Sequence, residues 1–90
     1  MSNTTHEMRL VDTNGYTVPG AVRYAVPADQ VAATEAELKA LAPADADSQK
    51  ALHLENAANL HDSVSADNQR AAAGQIRAAD YQVRITPPLA

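Results

Sequence analysis

The sequence contains no cysteine, no tryptophan and no phenylalanine, and its only aromatic side chains are three tyrosines. Without cysteine there is no disulfide, no thiolate nucleophile and no cysteine-ligated metal site, and the redox compartment is left unmarked. Glycine is scarce as well. The three glycines stand at 15, 20 and 74, so neither a phosphate-binding loop nor a dinucleotide fingerprint can be written. No apolar stretch approaches the roughly 18 residues needed to cross a bilayer. The segment Met1-Ser2-Asn3-Thr4-Thr5-His6-Glu7 has neither a basic start nor an apolar run, so no signal peptide is expected. The glycosylation sequon Asn3-Thr4-Thr5 therefore reads as a chance match. Seven basic residues stand against eleven carboxylates, for a net charge of −4 and a pI near 5.1. That balance argues against a nucleic-acid partner, and the expectation is a cytoplasmic protein without membrane contact.

What is present is mostly alanine. Twenty alanines supply nearly half of the 46% apolar content, and leucine, isoleucine and valine together number only sixteen of the 90 residues. That share lies under the roughly 20% level at which disorder becomes an option, yet the net charge is too low to drive it. A chain of 9.5 kDa is thus expected to form a single small domain over 1–90, ordered but thinly cored, with flexible tails at 1–5 and 87–90.

The apolar periodicity divides the chain. From Met8 to Val26 large apolar residues fall mostly at even positions (Met8, Leu10, Tyr16, Val18, Val22, Tyr24, Val26), placing them on one sheet face. Val11 is out of phase. Asp12-Thr13-Asn14-Gly15 reads as a type I′ hairpin turn and Val18-Pro19-Gly20-Ala21 as a type II turn or bulge, giving one long hairpin interrupted at Pro19. Pro27 and Asp29 then suit a helix start. A first helix is expected over Ala28–Ala42 with Val31, Leu38 and Leu41 in its stripe, closed by Pro43. A second helix should begin near Asp45–Ser48 and run to about Asp62, with Ala51, Leu54, Ala57, Ala58, Leu60 and His61 inward. Ser63 and Ser65 are N-cap candidates for a third helix over Ala66–Ala79, although one helix over 47–79 stays open. Tyr81, Val83 and Ile85 then alternate with Gln82, Arg84 and Thr86, a strand signature. The order ββαααβ predicts an α+β fold: a small antiparallel sheet made of the N-terminal hairpin and the C-terminal strand, covered by two or three helices.

Few residues suggest chemistry. His53 and His61 are eight apart, not the i, i+4 spacing that lets two imidazoles share a metal, so no metal site is expected. Ser63 or Ser65 with His61 and Asp62 lists the residue types of a triad, but adjacency is not triad geometry and no nucleophile elbow exists. No cofactor and no enzymatic activity are expected. Two surfaces stand out instead. Arg70, Gly74 and Arg77 fall on one face of the expected third helix, where two guanidiniums flanking a glycine suit an anionic ligand or a partner's carboxylate. Ala57, Ala58, Ala72, Ala73 and Ala79 would let another helix approach closely, so a homodimer or higher oligomer is expected. Asp29, Glu35, Glu37, Asp45, Asp47, Glu55 and Asp62 are too scattered for a nucleic-acid mimic and read as a solubilising face.

A small, cysteine-free, alanine-rich acidic chain resembles in general character the short accessory proteins of bacteriophages and bacterial mobile elements, including inhibitors of host defence. The comparison rests on size and composition. It implies a protein-interaction module that inhibits a host protein complex, working in the host cytoplasm. The alternatives are an oligomeric binder of a small anionic ligand, which would retain that ligand on purification, and a structural subunit of a virion or other assembly, which would self-assemble.

Overall fold

The computed structural model describes residues 4–89. It contains strand β1 (Thr5–Val11), strand β2 (Thr17–Pro27), helix α1 (Val31–Lys39), helix α2 (Ala42–Asn59), helix α3 (Ser63–Gln75) and strand β3 (Gln82–Thr86). Single 3-10 turns at Ala28–Gln30 and Ala78–Asp80 precede α1 and β3. The three strands form one antiparallel sheet in the order β2-β1-β3, so the chain closes on itself through its ends. This is the α+β arrangement expected. Of the two expected tails, Thr5 opens β1 opposite Pro27 and so belongs to the sheet, while residues 1–3 and 90 lie outside the described residues.

The hairpin is single, as read, but its geometry departs from simple alternation. Asp12 and Tyr16 close a three-residue loop, Asp12 N–H donating to Tyr16 O at 2.8 Å, with Gly15 in the left-handed region at φ 87°. A type I′ turn would also need a positive φ at Asn14, and only Gly15 has one here. Register shifts twice along β1 and β2, between His6 and Met8 and between Arg9 and Val11. Opposite Glu7 stand Tyr24 and Ala25, one residue extra, with Ala25 itself left-handed at φ 53°. Opposite Leu10 runs the looped stretch Val18-Pro19-Gly20-Ala21. Each extra residue can turn the following side chains to the other face. That corrects the even-position face: Met8, Leu10, Val18 and Val26 are buried, whereas Tyr16 and Tyr24 are 72% and 73% exposed, Val22 is half-buried and the odd-numbered Ala21 is fully buried.

The helices start and stop where backbone donors run out. Pro43 has no N–H to offer the carbonyl of Lys39, so the α1 register ends there and Leu41 N–H turns to Leu38 O at 3.0 Å. In the first turn of a new helix the same missing donor costs nothing. Hence α2 begins at Ala42, earlier than expected, with Pro43 in its first turn. A break at Leu60–Asp62 separates two helices, not one over 47–79. The N-cap is Asp62, not Ser63 or Ser65: its carboxylate accepts from Val64 N–H at 3.2 Å and Ser65 N–H at 3.4 Å. Helix α3 ends at Gln75, short of Ala79, because Ile76 leaves helical geometry (φ −80°, ψ 119°) and enters the core beneath the sheet.

That core is small. Met8, Leu10, Val18, Ala21 and Val26 of the sheet meet Val31 and Leu38 of α1, Ala42 and Ala46 of α2, and Ile76 and Tyr81 of the closing segment. Beyond Ala46, α2 leaves the main core and packs chiefly against α3, with Ala57, Ala66 and Ala73 buried in the two helices. The inner face of α2 therefore runs through Ala42, Ala46, His53 and Ala57. The expected inward residues Ala51, Leu54, Ala58, Leu60 and His61 point to solvent, and only Ala57 of that set is buried. The outcome is a sheet with a helical arm, in all 62 × 18 × 18 Å.

Two outcomes follow from this architecture. Ending the chain at Ala79 removes Tyr81, Val83 and Ile85 and bares the β1 edge, so the shortened protein should lose its cooperative melt, followed by circular dichroism. The cap of α3 is pH-sensitive. The Ser65 hydroxyl, then the Val64 N–H, hold the Asp62 carboxyl below its usual 3.8. A lowered folded value means stability that is complete above the ordinary carboxylate range and lost as pH falls through the folded value. Asp62→Ala should lower the melting temperature at neutral pH, whereas Asp62→Asn should keep the cap and flatten the acid limb of a melting curve series taken down to about pH 2.

Candidate functional site

Polar side chains converge at the junction between sheet and arm. Asp12 follows β1 and organises the hairpin loop, its Oδ1 accepting from Asn14 N–H at 2.9 Å and Tyr16 N–H at 3.0 Å. Its other oxygen accepts from the Gln49 side-chain amide at 3.1 Å. Gln49 lies one turn after Asp45 on α2 and donates to the Asp45 carboxylate at 2.7 Å. Tyr81, at the entry to β3, donates its hydroxyl to the same Asp45 oxygen at 2.6 Å and lies 3.2 Å from the Gln49 amide nitrogen. An amide nitrogen has two hydrogens, so the two carboxylates take them and the phenol completes the ring of contacts. Loop, arm and closing strand are thereby tied at one point. Burial, then the bond to Asp45, then the charges of Asp45 and Asp12 raise the Tyr81 phenol well above its ordinary 10.0.

One turn further along α2 a cleft of about 130 Å³ opens between the hairpin loop and the two helices, lined by Thr13, Asn14, His53, Ala72, Gln75 and Ile76. His53 Nδ1 donates to the Gln69 Oε1 at 2.7 Å, which ties α2 to α3 and occupies one ring nitrogen. His61 stands exposed in the break between the helices. Among the described residues no three histidines or carboxylates gather where they could hold a metal. Ser65 Oγ donates to Asp62 at 2.7 Å as part of the helix cap.

The arginine face expected on the third helix is not one face. Arg70 lies on α3 and its guanidinium donates to Asp67 at 2.8 Å. Arg77 lies past the helix end in extended geometry (φ −135°, ψ 126°), its backbone N–H and carbonyl both 3.4 Å from the Thr13 hydroxyl. A side chain added at Gly74 would meet nothing within 4 Å, so the glycine is not demanded by crowding. The alanines are divided too. Ala57 and Ala73 are buried in the chain's own α2–α3 contact, Ala72 is half-buried, and Ala58 and Ala79 are exposed.

Two features escaped the sequence reading. The junction of Asp12, Asp45, Gln49 and Tyr81 left one trace, the i, i+4 spacing of Asp45 and Gln49; the other two members are 32 or more residues away from that pair in the sequence. His6, for which the sequence carries no expectation, is 5% exposed and donates from Nδ1 to the Pro87 carbonyl at 2.7 Å. It had no sequence signal, since its partner is backbone.

Tyr81→Phe keeps the ring and removes the hydroxyl, leaving Asp45 with one donor fewer in a half-buried setting. A loss of about 1–3 kcal/mol in urea unfolding is expected. A raised folded phenol value gives stability that is complete below the unfolded value and is lost as pH rises toward the folded one. Tyr81→Phe should therefore also flatten the alkaline limb of the stability–pH curve. No protein-family model, curated protein or solved structure matches this chain in comparison, so the junction and the arm are read from their own chemistry.

Proposed function

We propose that the chain is a non-enzymatic protein-interaction module, acting in the cytoplasm as a small inhibitor that binds a host protein complex. The observation that carries this reading is reach. A compact chain of this length has a radius of gyration of about 12 Å, whereas this one has 16.7 Å and a long axis of 62 Å. Its α2–α3 arm is held together by alanines and carries Leu52, Leu54, Leu60 and Val64 exposed. Large apolar side chains held out on a narrow arm suit contact with another protein.

The small-anion reading draws less support. The cleft of about 130 Å³ is below the roughly 300–1,000 Å³ of ordinary ligand sites. Arg70 is already paired with Asp67, and Arg77 is not beside it on the helix. Self-association remains part of the proposal, with Ala58, Ala72 and Ala79 as the alanines left at least partly open. It predicts a melting temperature that rises with protein concentration.

Affinity capture from a bacterial lysate tests the main reading. The full chain should retain a defined partner in fixed proportion, and the double variant Leu54→Lys/Leu60→Lys should release it while its circular dichroism and melt stay unchanged. A melting temperature that rises with nucleotides or other phosphorylated small molecules, with no partner retained, would replace this reading by the anion binder.

A further inference from the structure

The two edges of the sheet are not alike. Strand β2 is blunted by Pro19, by left-handed Gly20 and Ala25, and by two register shifts, the usual devices that keep an edge from pairing further. Strand β3, five residues long, has no proline, no left-handed residue and no register shift, and its one charged side chain is Arg84. It pairs with β1 in unbroken register over five positions, from Glu7↔Thr86 to Val11↔Gln82. Its outward backbone donors and acceptors are therefore evenly presented to an incoming strand.

The side chains on that edge have a definite chemistry. Val83 and Ile85 lie against the core yet remain half-buried, since no strand lies beyond them. On the opposite face Arg84 stands directly across from Arg9. Arg9 is engaged by the Glu7 carboxylate and by the Thr17 hydroxyl at 3.4 Å. Arg84 is exposed and forms no ion pair among the described residues. Like charges at directly opposed sheet positions repel, so this edge has a charge to neutralise and two apolar side chains to cover.

We propose that the β3 edge accepts an extended segment of a partner protein as a fourth strand, and that the segment alternates apolar, acidic, apolar. Backbone pairing along 82–86 supplies affinity, the two apolar residues finish covering Val83 and Ile85, and the carboxylate sits opposite Arg84. This rests on the interaction-module reading and names the partner's chemistry. A second copy of β3 fits worse, because it brings another Arg84 to a face that already holds two arginines, between molecules each of net charge −4.

The test uses the full chain and two blocked peptides, Thr-Val-Glu-Val-Thr and Thr-Val-Lys-Val-Thr, read by amide chemical shifts and hydrogen exchange at 82–86. The glutamate peptide should slow exchange along β3 and bind at least about tenfold more tightly than the lysine peptide. Arg84→Glu should reverse that preference. Because Arg84→Glu replaces the repulsion from Arg9 with attraction, its melting temperature should equal or exceed that of the parent, which separates lost binding from lost folding. Equal binding of both peptides, binding of neither, or protection of 82–86 that rises with protein concentration in peptide-free samples would each overturn the proposal. Partner capture through the leucines of the arm, if it survives Arg84→Glu, would leave the interaction-module reading standing after the edge proposal had failed.

Discussion

Pairing of β1 along both of its edges is the constraint on which the other contacts depend. A three-stranded sheet in the order β2-β1-β3 gives one strand two neighbours, and that strand carries Met8 and Leu10, both fully buried. With so few large aliphatic side chains, the chain concentrates them where a single strand can be shielded by the hairpin, by the returning β3 and by α1 together. Because β3 arrives from the far end of the sequence, its contacts with β1 close a loop of some seventy residues. Such closure costs entropy that grows slowly with length. The cost is met by a short, unbroken ladder and by the burial of Ile76 and Tyr81 just ahead of it.

Closing the loop leaves the helices to be placed, and the junction at Asp45 does this. Only the base of α2 reaches the main core, through Ala42 and Ala46. Alanine contributes little burial, so the direction of the arm is set largely by polar contacts of fixed geometry: Gln49 reaching Asp12, and Tyr81 reaching Asp45. Polar networks of this kind stabilise modestly when complete and cost more when one member is removed. Further out, the arm holds through Ala57, Ala66, Ala73 and the His53–Gln69 bond. Its stability should therefore grade downward from the sheet to the break at Leu60–Asp62, as expected where buried apolar contacts thin out.

The legible parts of the fold were those fixed by local physics. Alternation at Tyr81, Val83 and Ile85 identified a strand because nothing in that strand disturbs its period, and the strand does pair with the hairpin. Of the two places where alternation breaks between Val18 and Val26, Pro19-Gly20 announces itself by residue type, whereas Ala25 at φ 53° is not of a type that announces a bulge. Pro43 marks a helix boundary in the sequence, but the same missing N–H that closes one helix also suits the start of the next, and the structure uses it for the start of α2. The inward face of α2 could not be read from hydrophobicity. Its partner helix presents alanines, so the buried stripe contains alanine and polar residues while Leu52 and Leu54 face water. At the candidate site, Asp45 and Gln49 are local, but Asp12 and Tyr81 join them only through the closed sheet.

The same thin core bears on how such a chain can act. A domain that must surround a small molecule needs side chains behind the site to hold its walls, and here those side chains are already committed to shielding β1. What remains at low cost is outer surface: a narrow arm whose leucines need no internal partner, and a strand edge whose backbone groups are polar already and require only alignment. Alignment at β3 is supplied by the ladder to β1, and the ladder is regular because the bulges fall on the other side of the central strand. The irregular β2 and the regular β3 are thus two consequences of one allocation. The extra residues of the hairpin blunt one edge, and the returning strand, only five residues long and in unbroken register, presents the other.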